Sequence, residues 1–310
     1  MTDVLSDLTL VSGRQLGDRV SMADAIAAIS AVLRAGFDPE EDLPRTILDV
    51  PNGQLLLMPS AVDGAAGQKL ATVAPANPAR GLERIQALYV LLDGATLAPT
   101  ALLDGTALTS LRTPAVSAAV VDVLAGADAG DLVVFGTGPQ AVRHVEALAA
   151  IRNLRTVRII GRDDSRTRAA VDAARPYAPN AEISTGTLDD LRAADLIACT
   201  TTASTPLFPS DLVRDDATIV AIGSHEPDRS ELDPVLVGRS QVVVESRRVA
   251  MSEAGDVIGA ITAGTLHPDD LVTMHELFTG QVQPATDRPR VVKTCGMGWQ
   301  DLVVARLAIR

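Results

Sequence analysis

The stretch DLVVFGTGPQAVRHVEAL, residues 131–148, constrains the fold more than any other part of this chain. An unbroken apolar run suits a strand buried on both faces, and it stops at a glycine. A helical pattern follows, with Ala141, Val145 and Leu148 on one face. Gly136, Gly138 and Ala141 fall in a G-x-G-x-x-A spacing. The first glycine permits the tight turn, the second lets backbone approach a pyrophosphate, and the alanine lets helix and strand pack closely. Thr137, Pro139 and Gln140 complete the loop, which places a helix N-terminus where a diphosphate would sit. The spacing alone is a weak signal. Here it follows a strand, opens a helix and starts a βαβ unit, the context a dinucleotide site requires.

The same alternation continues. TVRIIG reads as the next strand, a helix runs from Ser165 to about Arg175, and AEIS, ADLIACT, ATIVAIG and SQVVVES add four more strands. Six continuous apolar strands with helices between them predict a doubly wound parallel sheet of the Rossmann type. The first 120 residues differ: ISAVLRAGF is helical, RTILDV and QLLLMPS flank the turn PNG, and LYVLLDGATLAPTALLDG reads as a hairpin. A helix is expected over Thr113–Leu124, followed by the linker AGADAG, and QDLVVARLAI closes the chain as an amphipathic helix. The expected fold is α/β, with the Rossmann-type sheet inserted into a discontinuous α+β domain for substrate binding and dimerisation. The expected boundaries are 1–120 with 297–310 for the outer domain and 121–296 for the dinucleotide domain.

Composition narrows the partners. A net charge of −12 with 2% aromatic residues and no basic run argues against nucleic acid. No uninterrupted apolar run reaches membrane-spanning length, and the N-terminus lacks a basic region ahead of an apolar block, so a cytoplasmic protein is expected. Cys199 and Cys295 show no metal-like spacing, and no metal is expected. Positive charge is almost all arginine; only Lys69 and Lys293 are lysines. A compact, titratable amine can do what a guanidinium cannot.

The second strand of the dinucleotide domain ends at Gly161, followed by Arg162. NAD binding favours a carboxylate at that tip, whereas a guanidinium suits a 2′-phosphate. NADP(H) is favoured on this ground, with NAD(H) possible through Asp163.

GQKLATVAPANPARGL, ALLDGTALTSLRTPAVSA, FGTGPQA and GMGWQDLVVA, in that order, resemble the ornithine cyclodeaminase/mu-crystallin family. The resemblance implies a dimer that uses a nicotinamide dinucleotide on small amino acids or their cyclic imines. It places Arg45, Lys69 and Arg112 as the clamp for a substrate carboxylate, with Lys69 also able to move a proton. It sets Thr200 and Thr201 beside the cofactor, Gly223 beneath the nicotinamide, and the return past Lys293 and Gly296 close to it. Lys293 itself reads as structural.

The loop after the fifth strand separates branches of the family. Where cyclising and alanine-type relatives have an acid, this frame reads Gly223-Ser224-His225-Glu226-Pro227-Asp228, and PDRSEL resembles the mu-crystallin-like branch. A neutral imidazole is a poor substitute for a carboxylate that orients a cationic amine, but it suits protonation of an imine near neutrality. The resemblance therefore implies NAD(P)H-dependent reduction of a cyclic imino acid, Δ1-pyrroline-2-carboxylate or Δ1-piperideine-2-carboxylate. Lys69 or His225 would be the proton donor. The alternatives are ornithine cyclodeamination, alanine-type dehydrogenation, and cofactor binding with little catalysis. His144, His267 and His275 read as structural or exposed.

Overall fold

The computed structural model describes residues 6–309. The described residues form two compact units, one within 6–32, 41–113 and 296–309, the other of 33–40 and 114–295. These limits differ from those drawn on the sequence at 120/121 and 296/297. AGADAG, the expected linker, is only the loop between a helix and the first strand of the second unit.

The first unit holds a six-stranded sheet: β1 (Thr9–Val11), β2 (Thr46–Val50), β3 (Gly53–Val62), β4 (Ala65–Val73), β5 (Ile85–Asp93) and β6 (Pro99–Asp104). Its order is β1-β6-β5-β4-β3-β2, antiparallel except for β1 beside β6. The expected strands and hairpin are present. The sequence reading missed the three-residue β1, and also β4, because AAGQKLATV carries four small residues, a glutamine and a lysine where a strand usually shows alternating bulk. Helices α1 (Gly13–Arg19) and α2 (Met22–Arg34) accompany this sheet in the sequence.

Helix α3 spans Gly105–Leu124 and begins at the glycine of the second LLDG in LYVLLDGATLAPTALLDG, so that LLDG is a strand-to-helix junction rather than a hairpin turn. It is long and apolar enough to cross a membrane by length and composition. Leu108, Leu111, Ala115, Val116 and Ala118 through Val121 are all buried, which is the pattern of a core helix.

The second unit carries eight parallel strands in the order β13-β12-β14-β11-β10-β7-β8-β9. They are β7 (Asp131–Phe135), β8 (Thr156–Ile160), β9 (Glu182–Thr185), β10 (Leu196–Cys199), β11 (Thr218–Ala221), β12 (Gln241–Val244), β13 (Val272–Thr273) and β14 (Arg290–Lys293). All six expected strands form. The two missed are short, and β14, RVVK, lies centrally between β11 and β12 with charged residues at both ends. Helices α4 (Pro139–Ile151), α5 (Asp164–Ala174), α6 (Pro234–Arg239), α7 (Arg247–Glu253), α8 (Gly255–Thr262) and α9 (Met274–Phe278) belong to this unit. Strand order reverses between β7 and β10, the switch point where doubly wound sheets leave a crevice at the carboxyl edge.

Helix α10 (Gly298–Leu307) returns to the first unit and packs on β3, β4 and β5. It is not the amphipathic helix expected: Gly298 through Ala305 are all buried.

Candidate functional site

In the second unit a cleft of about 660 Å³ opens at the switch point, within the range of small-molecule sites. It is lined by the β7 tip (Phe135–Gly138), the β8 tip (Ile160–Arg162), Arg166, Leu188 and residues 200–207. Gly136 sits at φ 121°, and a Cβ there would lie 2.6 Å from Thr200 Oγ1. Gly138 is the N-cap of α4 and contributes no side-chain cap; a Cβ on it would meet nothing within 4 Å. Ala141 is fully buried under the helix. The loop Gly136–Ala141 thus leaves an uncapped helix start facing open space, which fits a dinucleotide pyrophosphate.

The Thr200 hydroxyl donates to the Phe135 carbonyl at 2.8 Å and ties the β10 tip to β7. That of Thr201 donates to Glu231 Oε1 at 2.7 Å, as does its backbone N–H. Glu231 Oε2 accepts the N–H of Gly223 at 2.6 Å. A Cβ on Gly223 would lie 1.9 Å from the Thr201 carbonyl oxygen, so the neighbouring strand tip by itself already requires glycine. Burial pushes the Glu231 carboxyl above its ordinary value, against the pull of Lys293. A second buried carboxylate, Asp256, accepts from Ser230 Oγ and from the N–H groups of Glu231 and Leu232 through Oδ1. Its Oδ2 takes Ser224 Oγ and pairs with Lys293 Nζ at 3.3 Å. Burial would lower the Lys293 ammonium, but Asp256 in front of it holds it above its usual range.

These carboxylates pin both ends of the loop that carries His225, which is half-buried with its N–H on the Gly223 carbonyl. Sequence reading missed both. The signal for Glu231 lay in PDRSEL, but its partners come from two other strand tips.

At the β8 tip, Gly161 cannot carry a side chain, since a Cβ would lie 2.3 Å from Thr137 Cγ2 and 2.4 Å from Thr167 Oγ1. Arg162 is exposed at the cleft, and Arg166 lines it too. Asp163 caps α5: its Oδ1 accepts from Ser165 Oγ at 2.6 Å and Arg166 N at 2.9 Å. The Ser165 hydroxyl and that backbone N–H hold its carboxyl below the usual range.

In the first unit Lys69 and Arg112 converge on one buried carboxylate that sequence reading did not single out. Lys69 Nζ lies 2.6 Å from Asp301 Oδ2, and Arg112 Nε lies 3.2 Å from Asp301 Oδ1. Arg112 Nη1 also donates to Gln300 Oε1 at 2.6 Å. Arg45, half-buried, reaches the Gly296 carbonyl at 3.4 Å. Gly296 adopts φ 83°, and a Cβ there would fall 2.9 Å from the Arg112 guanidinium. Gly296 therefore lies against two cations of this unit, Arg45 and Arg112. Burial draws the Lys69 ammonium down to about 8, with Arg112 and Arg45 adding to the fall and Asp301 opposing it. Two cations on one carboxylate, with Arg45 acting on the same lysine, leave a net positive cluster whose charge suits a second carboxylate.

His144 is fully buried, with Nδ1 on the Gln140 carbonyl at 2.8 Å and Nε2 on Ser117 Oγ at 3.0 Å. His267 is exposed and His275 half-buried. No group of three or more His, Cys, Asp or Glu side chains among the described residues could hold a metal ion.

A Δ1-pyrroline-2-carboxylate reductase of Bacillus cereus (strain ZK / E33L) is 31% identical over 310 positions, covering 96% of this chain and 95% of that protein. The structure of Thermococcus litoralis Δ1-pyrroline-2-carboxylate reductase in complex with NADH and L-proline superposes with TM-score 0.91 at 25% identity, covering 97% of this chain and 96% of the other. An archaeal alanine dehydrogenase dimer with bound NAD follows with TM-score 0.90 at 25% identity, covering 97% and 94%. The family model for ornithine cyclodeaminase/mu-crystallin proteins matches residues 10–309, and the chain belongs to that family.

Proposed function

We propose that the protein is an NAD(P)H-dependent reductase that converts a cyclic imino acid, Δ1-pyrroline-2-carboxylate or its six-membered homologue, to the L-amino acid. The observation that carries this reading is the convergence of Lys69 and Arg112 on one buried carboxylate, with Arg45 near enough to act on the Lys69 ammonium. Its support comes from relatives named for that reaction.

The first unit supplies substrate recognition. Arg45 and Arg112 grip the substrate carboxylate, and Lys69 gives a proton to the imine nitrogen as the C=N bond becomes CH–NH. The second unit holds the cofactor through Gly136–Ala141 at the start of α4, with Thr200 and Thr201 at the neighbouring strand tip. When bound, the reduced nicotinamide supplies the hydride. At the ribose end Arg162 and Arg166 stand at the cleft while Asp163 is committed to capping α5, which supports NADP(H) over NAD(H).

A homodimer is the second part of the reading. Leu57, Leu70 and Leu88 form a cross-strand row on the face of the first sheet opposite Met58, Lys69 and Tyr89, which lie buried. Leu70 and Leu88 are 40% and 50% exposed, enough to call for a partner.

Purified protein is to be assayed with NADPH and NADH against each cyclic imine, and separately with ornithine and catalytic NAD⁺. Oxidation of reduced cofactor with an imine supports the proposal. Ammonia and proline from ornithine without imine reduction would overturn it, and activity confined to pyruvate with ammonia would favour the alanine-type alternative.

A further inference from the structure

Lys69 points from β4 toward the face that α10 covers, between Met58 on β3 and Tyr89 on β5. Its surroundings are crowded with charge of one sign: Arg112 from α3 and Arg45 from the segment before β2 both push its proton off. The other titratable groups nearby do not compensate. The Tyr89 phenol is driven up by burial and by Asp301 and Asp42, so it stays neutral. The Asp42 carboxylate is engaged by Ser60 Oγ at 2.8 Å and the Trp299 N–H at 3.0 Å. Thr109 Oγ1, at 3.4 Å from Nζ, spends its own proton on the Gly105 carbonyl. Of the charges acting on Lys69, Asp301 alone holds the ammonium in place.

The position of Asp301 is itself rigid. It lies in the first turn of α10, where Asp42 receives the Trp299 N–H one position after Gly298. A Cβ on Gly298 would fall 2.5 Å from the Pro59 carbonyl, so this helix start is seated directly on β3. Asp301 is completely buried and divides its two oxygens between Lys69 and Arg112. Such a carboxylate sets both the charge of the lysine and the spacing of the two cations.

We propose that Asp301 is the positioning residue of this site: it keeps Lys69 charged and aimed for proton transfer, and holds Arg112 in register with it for the substrate carboxylate. The proposal rests on Lys69 as proton donor in imine reduction, and one property of the chain lets the two be tested apart. Lys69 and Lys293 are its only lysines. Protein labelled with ¹³C and ¹⁵N in lysine will show two side-chain signals, assigned by Lys293→Arg. In the parent protein at pH 7, the Lys69 ammonium should appear as a protonated amine protected from exchange. In Asp301→Asn its titration midpoint should fall by about one pH unit or more, and the basic limb of the imine-reduction profile should move down with it. Lys293 should not respond.

An unchanged Lys69 midpoint in Asp301→Asn overturns the proposal, as does a basic limb that stays in place while the signal moves. If the variant does not fold, the parent spectrum decides: a neutral or freely exchanging Lys69 amine overturns the proposal and a protected ammonium supports it. A shifted signal in a protein that reduces no imine upholds the charge-holding role of Asp301 and rejects the reductase reading.

Discussion

Glu231 Oε2 accepts the backbone N–H of Gly223 at 2.6 Å, while Oε1 of the same carboxylate accepts the N–H of Thr201 at 2.7 Å. One buried side chain thus joins the tips of two adjacent parallel strands, and the loop leading to His225 is hung from that junction. Glu231→Gln puts an amide donor against backbone donors and should lower stability by about 2 kcal/mol. Gly223→Ala should cost about 3 kcal/mol, because its Cβ would collide with backbone that cannot swing aside. Denaturant unfolding measures both, and midpoints equal to the parent would show that this junction is not a structural one.

With Lys69 as the proposed proton donor, an ammonium that burial draws down to about 8 should give the two directions of the reaction opposite pH dependence. Reduction needs the ammonium, so its rate should be level below about pH 8 and fall above it, by roughly tenfold per unit. Oxidation of the cyclic amino acid needs the free amine and should rise to about pH 8 and then level. His225→Ala assigns the proton: a profile with the same limbs leaves Lys69 as donor, and loss of a limb moves the role to His225.

If NADP(H) is the cofactor, as proposed, its choice should be set where Arg162 meets the cleft. Arg162→Ala should weaken NADPH binding by about tenfold or more and leave NADH within twofold, as expected for loss of one charge-assisted contact to phosphate. Asp163→Ala should leave NADH affinity unchanged and lower stability through loss of the α5 N-cap. Fluorescence titration of both cofactors is the measurement. A loss of NADH affinity in Asp163→Ala would assign that carboxylate to ribose instead.

His144 links stability to acid. Burial lowers its folded-state value to about 4, against 6.5 for an unperturbed imidazole, with the Gln140 carbonyl opposing the fall. The unfolded chain therefore binds more protons between those two values. The contribution is fully present above about pH 6.5 and is lost as pH falls toward 4, at roughly 1.4 kcal/mol per unit. Unfolding curves of the parent and His144→Gln at several pH values should converge across that window. Parallel curves would show that the imidazole is not the group responsible.

The apolar row on the outer face of the first sheet should be an interface between two copies. Leu70→Lys with Leu88→Lys places charge at its centre and should yield monomers in sedimentation with little loss of fold, since both side chains are partly exposed. A parent that sediments as a monomer rejects the dimer.

Much of the second unit could be read from the chain. Runs such as LVVF and TIVA are apolar throughout, so parallel strands buried on both faces announce themselves without knowledge of their neighbours. Among the strands that escaped, β4 and β14 carry Lys69 and Lys293. A buried lysine looks like a surface residue until its counter-ion is known, and in each case the counter-ion lies on a helix far from it in sequence. Asp301 escaped for the same reason: QDLVVARL reads as an amphipathic surface helix with a polar face, whereas that polar face is turned inward onto β3, β4 and β5.

The sequence by itself determined the dinucleotide fold and the family, because these rest on local periodicity, glycine placement and short motifs, and the family resemblance singled out the three cations. Tertiary structure alone decided how those cations are charged and aimed. Lys69 and Asp301 stand 232 residues apart, and the chain reveals their pairing only when α10 returns to the sheet of the first unit. Electrostatic work in a buried site depends on distance and desolvation, which no linear pattern encodes.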